Sequence, residues 1–218
     1  MGVAERRERE REQRRARIID AAERVFFRLG PLASTMDDVA VEAELSKGTL
    51  YLYFKNKDDL YLAIACRGLS RFVERAKAVG DTDSGYEQLR RVLEAQHRSA
   101  LAHPEHLKTM LAWMASGFTA SPDAPGYDEY LALVTTLMGR LVAIVERGTR
   151  DGSMRADLDP VQVVMHCWGG SMGLWMLVLN RDAIAARMPV PCDFDALVPS
   201  YAEMILRAVA PRPDKEAP

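Results

Sequence analysis

Ser34-Thr35-Met36-Asp37-Asp38-Val39-Ala40, then the turn Glu44-Leu45-Ser46, then Lys47-Gly48-Thr49-Leu50-Tyr51-Leu52-Tyr53-Phe54-Lys55-Asn56-Lys57: this stretch decides the fold. The first segment offers an N-cap hydroxyl with an acid three residues on, and Val39, Ala40 and Ala43 then fall on one side of a short helix. Ser46 can cap a second helix, whose Leu50 and Phe54 stand four apart and share a face. Two short helices joined by three residues have the geometry of a helix-turn-helix, in which the second helix lies in the major groove of DNA.

The outward positions of that second helix suit the task. Lys47 reaches a phosphate or a guanine edge, Gly48 lets the backbone approach the duplex, and Thr49 bonds to a base or offers it a methyl. Tyr51, Leu52 and Tyr53 project away from the Leu50 and Phe54 pair, with hydroxyls for phosphate oxygens and an apolar tip for a thymine methyl. Lys57 adds charge at the start of the next helix, where the dipole attracts anions. Ser34, Thr35 and Ser46, at the helix starts, complete the expected contact set.

Working outward, the run Ile18, Ile19, Ala22, Val25, Phe26, Leu29 has helical period and stops at Gly30-Pro31. Asn56 caps a fourth helix running to about residue 78. The Asp, Thr and Ser residues between Gly80 and Gly85 mark a connection between two domains. A fifth helix starts near Ser84, a sixth opens at Pro104, and residues Thr119 to Gly126 read as a loop. A long amphipathic helix begins at Tyr127. Asp159-Pro160-Val161-Gln162 starts another, apolar almost all round, and a last one covers Ala196 to Val209. No stretch alternates with period two for long enough to make a sheet, so the chain reads as all-α with about nine helices.

Arg17 to Leu62, and above all the two quoted segments, closely resembles the N-terminal domain of TetR-family regulators. The resemblance implies that Thr35, Tyr51, Tyr53 and Lys57 hold phosphates while Lys47, Thr49 and Leu52 face bases. It implies a three-helix DNA-binding domain over 15–60, followed by a helical ligand-binding and dimerisation domain over 61–210. The partners implied are a palindromic double-stranded operator, a small-molecule effector that releases it, and a second copy of the chain docked through the last two long helices. A ligand-independent or activating DNA binder is the alternative. Two departures stand out: Glu44 where the family often has Gly, which would place a non-glycine in a left-handed conformation, and Pro31 where it often has an aromatic.

Past residue 80 the resemblance is architectural only. Met110, Trp113, Met114, Phe118, Met138, Met165, Trp168, Met172 and Trp175 form an aromatic and sulfur-rich set that suits either plain core or a hydrophobic ligand cavity, with Gln96, His97 and His166 as its polar fixers. Gly169, Gly170 and Gly173 weaken a helix unless another helix packs closely there. His103 and His106 read as surface histidines with no third ligand at matching spacing, so neither metal nor cofactor is expected. No nucleophile, base and orienter can be assembled, which argues against an enzyme.

Composition agrees. The 218 residues carry a net charge of −2, yet residues 6–17 sum to +4 and 47–57 to +3, leaving −9 elsewhere. Three widely spaced cysteines make no disulfide framework. The Arg/Glu-rich start (1–14) and the Pro-rich tail (211–218) read as disordered, and neither signal peptide nor membrane span is read, giving a cytoplasmic expectation.

Overall fold

The computed structural model describes residues 2–80, 84–115 and 121–212. These contain ten helices and no strand: α1 (Val3–Leu29), α2 (Met36–Glu42), α3 (Lys47–Tyr51), α4 (Lys57–Ala78), α5 (Gly85–Ala102), α6 (Pro104–Ala115), α7 (Tyr127–Arg150), α8 (Pro160–Leu179), α9 (Arg181–Ala185) and α10 (Phe194–Val209). The all-helical expectation holds. The five-residue α9 is the helix not anticipated, since one turn carries no readable period.

The start of the chain differs from expectation, because α1 reaches back to Val3. Its first turns hold no apolar face, but Arg6 pairs with Glu10 at 2.9 Å and Arg11 with Glu8 at 4.0 Å, the spacings that support an isolated helix. Most of the expected tail, and the loop residues Thr119 and Ala120, lie outside the described residues.

The chain divides into two compact units, Met1–Leu69 with Lys108–Ala132, and Ser70–Leu107 with Leu133–Pro218. This corrects the expected sequential domains. The physical reason is Trp113 of α6, which is 3% exposed and belongs to the first unit's core. Its ring stacks on Tyr61, with centroids 4.0 Å apart, and tilts against Phe26 at 6.2 Å. Ile18, Val25, Phe26, Val39, Leu50 and Leu60 fill the rest of that core, each at most 1% exposed.

The second unit is built on close backbone approach. The start of α5 meets the end of α7 so tightly that a Cβ on Gly85 would lie 2.2 Å from the Gly148 nitrogen. Asp151 Oδ2 accepts from the Gly85 N–H at 2.9 Å and Ser153 Oγ from the Tyr86 N–H at 3.1 Å, which tie the crossing down. The core here is aliphatic, with Leu89, Val92, Ile144, Val145, Met154 and Val164 buried. Where α8 packs on α10, a Cβ on Gly170 would sit 1.9 Å from the Tyr201 hydroxyl, which itself donates to the His166 carbonyl at 2.6 Å.

Candidate nucleic-acid interface

The helix-turn-helix is held by local bonds that its sequence dictates. Thr35 caps α2 by accepting from the Asp38 N–H at 3.2 Å, while Asp38 Oδ2 accepts from the Thr35 N–H at 2.8 Å and hydroxyl at 2.6 Å. Those bonds to Thr35 hold the Asp38 carboxyl below its usual range. Ser46 caps α3 by accepting from the Thr49 N–H at 3.2 Å, and the two hydroxyls lie 2.8 Å apart. Between the helices Glu44 has φ 55°, the left-handed conformation expected where the turn lacks its glycine. Arg24 and Arg28 of α1 grip Glu42 at 2.7 and 3.0 Å, which fixes α1 against α2 and keeps the Glu42 carboxyl ionised to unusually low pH.

α3 is shorter than a helix that would carry Leu50 and Phe54 on one face, because it ends at Tyr51 and the chain turns through Leu52. Its inner side is nonetheless decisive: Leu50 is fully buried, whereas Leu52 is 79% and Tyr51 43% exposed. Lys47, Gly48 and Ser46 are exposed, and Thr49 is half-buried. Tyr53 packs partly against the core, so only part of its ring is free. Ser34 departs from the contact set: it is 2% exposed and its hydroxyl donates to the Pro31 carbonyl at 3.1 Å, closing the turn behind α2.

Two cations of the set are already engaged. Lys47 Nζ lies 2.7 Å from Asp37 Oδ1, and that pairing raises its pKa. Lys57 Nζ donates to the carbonyls of Leu32 and Ser34 at 3.2 and 2.9 Å, bracing the loop after α1 from the first turn of α4. Asn56 caps α4 as expected, its Oδ1 accepting from the Asp59 N–H at 2.8 Å.

The expected cavity residues separate. Met110, Trp113 and Met114 belong to the first unit, the others described belong to the second, and Phe118 lies outside the described residues. Trp113 is core, and Met114 is 44% exposed. In the second unit His97 stacks on the buried Trp175, with centroids 5.7 Å apart; Gln96 and Met172 are half-buried, and Met138 packs on the aliphatic core. The His97 Nδ1 is buried with no hydrogen-bond partner among the described residues, and burial followed by Arg98 lowers its pKa. Met165, His166 and Trp168 lie instead on the exposed side of α8.

Ligating atoms of His103, Glu105 and His106 lie within 4.8 Å of one another, a constellation the sequence reading missed by passing over Glu105. His103 also lines a cleft with Arg75 and Arg98, whose charges oppose a further cation there.

Two short capped helices joined by a tight turn, the second with Leu50 buried and Lys47, Gly48 and Tyr51 exposed, have the form of a helix-turn-helix. Residues 18–64 match the family described as bacterial regulatory proteins, tetR family. The likeness to that family is thus carried by the helix-turn-helix segment. The chain is 34% identical over 91 residues to the fatty acid metabolism regulator protein of Bacillus subtilis (41% of this chain, 46% of that protein). It is 36% identical over 86 residues to the transcriptional activator FasR of Mycolicibacterium smegmatis (39% of each). The matched stretches thus span less than half the length of either curated relative. The fold resembles that of FadR from Bacillus subtilis, solved in complex with stearoyl-CoA, with a TM-score of 0.69 over 89% of this chain and 98% of that one at 20% identity.

Proposed function

We propose that the chain is a homodimeric transcriptional repressor that holds a palindromic operator through α2 and α3 and releases it when a small, largely apolar effector binds the second unit. The observation that carries the DNA-binding part is the division of α3, with Leu50 fully buried and Leu52 and Tyr51 turned outward. Leu52 meets a thymine methyl. Lys47 and Thr49 read bases, and Thr35, Tyr51, Tyr53 and Lys57 take phosphates.

The dimer reading rests on α8. By length and composition it is the one helix among the described residues able to cross a membrane, and most of it is unburied. Val161, Met165, Trp168 and Met176 are 57, 48, 42 and 53% exposed on one stripe, with Met204 of α10 at 57%. Gly169 and Gly173 on the same stripe have nothing within 4 Å of where a Cβ would stand, so the bare backbone is open to a second copy. A contiguous apolar face of this kind, flanked by glycines, suits a self-complementary helix pair better than water.

The likeness to FadR in its stearoyl-CoA complex supports an acyl thioester as the effector class. The coupling between effector and operator can be no larger than the effector's differential affinity for the two states of the dimer. A gel shift on DNA upstream of the chain's own gene tests the reading. The shift should vanish in a Tyr51→Ala, Lys57→Ala double variant and weaken when palmitoyl-CoA is added. An activating role is the second reading, favoured by the name of the FasR relative. Transcription in vitro from the same promoter separates the two, since a repressor lowers transcript yield in the absence of effector.

A further inference from the structure

The second unit holds a cationic cleft that the helix-turn-helix does not use. It opens between the last turns of α4 and the C-terminal half of α5, with a volume of about 520 Å³. Arg75 lines one side, Arg98, Ser99 and His103 line the other, and the floor is made of alanines and Val79. The acids near it are already engaged: Glu74 by Lys77 at 2.9 Å, Glu94 by Arg90 and more loosely by Arg98 at 3.9 Å, and Glu105 by His103 at 3.6 Å.

Arg75 is the unusual member. It makes no ion pair among the described residues; its guanidinium rests over the Phe72 ring at 5.9 Å, and its Nε is buried without a hydrogen-bond partner. Burial and the neighbouring Arg71 both disfavour its charge. A buried, unmatched donor on a cation is a standing penalty that an anion relieves through charge-assisted bonds. Two guanidiniums, a hydroxyl and an imidazole offer more donors than the two oxygens of a carboxylate accept, and they match the three terminal oxygens of a phosphate.

We infer that the α4–α5 cleft binds a phosphate-bearing anion through Arg75, Arg98, Ser99 and His103, and that this anion is the phosphorylated head of the effector. The second clause rests on the acyl-thioester reading above. The apolar floor takes the non-phosphate part of the head, while the acyl chain is left to other parts of the unit.

Calorimetry at low salt tests it with three probes, coenzyme A, inorganic pyrophosphate and palmitate, on the full chain and on Arg75→Gln and Arg98→Gln. Arg98 is 70% exposed, so its variant keeps the fold even if the Arg75 variant does not; circular dichroism and thermal unfolding check both. Coenzyme A should bind and weaken by about tenfold or more in each variant, with affinity falling as salt rises, while palmitate binding stays unchanged. Coenzyme A binding that is absent, or equal in the folded variants and the wild type, overturns the site. Pyrophosphate binding as tightly as coenzyme A supports the anion site and overturns its assignment to the thioester head. If palmitate alone releases the operator while coenzyme A does not bind, the inference fails and the repressor reading stands. If coenzyme A binding depends on the arginines but no acyl compound releases DNA, the reverse holds.

Discussion

The two units solve the same problem, a small helical core, in opposite ways. The first relies on side chains with particular jobs: Thr35 and Ser46 as caps, Arg24 and Arg28 on Glu42, and Trp113 wedged against Tyr61 and Phe26. The second relies on the absence of side chains, at Gly85 against Gly148 and at Gly170 under Tyr201, and it leaves an apolar stripe on α8 uncovered. On the function proposed above, the first unit needs each polar group held at one angle for DNA, and the second needs helices packed closely enough to move as bodies when a ligand binds.

The sharpest way to break this contrast is Gly85→Ala. Its Cβ would meet the Gly148 nitrogen at 2.2 Å, the Gly148 Cα at 2.4 Å and the Ile144 oxygen at 2.6 Å, all backbone that cannot swing aside. We expect a loss of more than about 4 kcal/mol, read as a collapse of the thermal unfolding midpoint. Trp113→Ala should follow at about 3–5 kcal/mol in denaturant unfolding, because it empties a fully buried aromatic site in the first unit. The double change Tyr51→Ala, Lys57→Ala should weaken operator binding by about 100-fold or more in a fluorescence titration, since a hydrogen bond to a charged group is worth roughly 1.5–3 kcal/mol, and should lower the salt dependence of binding.

Legibility followed the same division. The stretch 18–64 could be read because its signals are local: helical periods, hydroxyl caps and an acid three residues on. The left-handed Glu44 was foreseeable only through the resemblance, since the TetR family often has glycine at that position. Early α1 was not, since alternating Arg and Glu carry no apolar period and the helix rests on their i,i+4 pairs instead. Nor could the order of residues reveal that Trp113 joins a core formed by residues about fifty or more positions earlier, or that Met165 and Trp168 face outward while Trp175 faces in. Apolar residues all round a helix say that several faces are covered and not by what. The arginine cleft went unread for the same reason, because Arg75 and Arg98 meet only across two helices.

Two smaller changes sharpen the comparison. Glu44→Gly should raise stability by about 1 kcal/mol, measured as the denaturant midpoint, because glycine removes the Cβ clash of the left-handed conformation. His97→Gln should remove a pH dependence, beside a small pH-independent loss of its stacking on Trp175. Burial beside Trp175 lowers the folded His97 pKa below that of the unfolded chain, so the unfolded state takes up the proton first. The stability is therefore intact above the unfolded value near 6.5 and declines as pH falls toward the folded one. The glutamine variant should flatten the unfolding temperature between about pH 7 and pH 5 relative to wild type.

The ion pair at the tip of α3 has a corollary for selectivity. If α3 enters the groove as proposed, Lys47 meets the duplex already paired with Asp37, so a phosphate offers it an exchange of partners, while freeing Asp37 sets a negative charge against the backbone. On the proposed reading, release of the Asp37 carboxylate is then part of what a base edge must bring about, and arbitrary sequence is held less tightly.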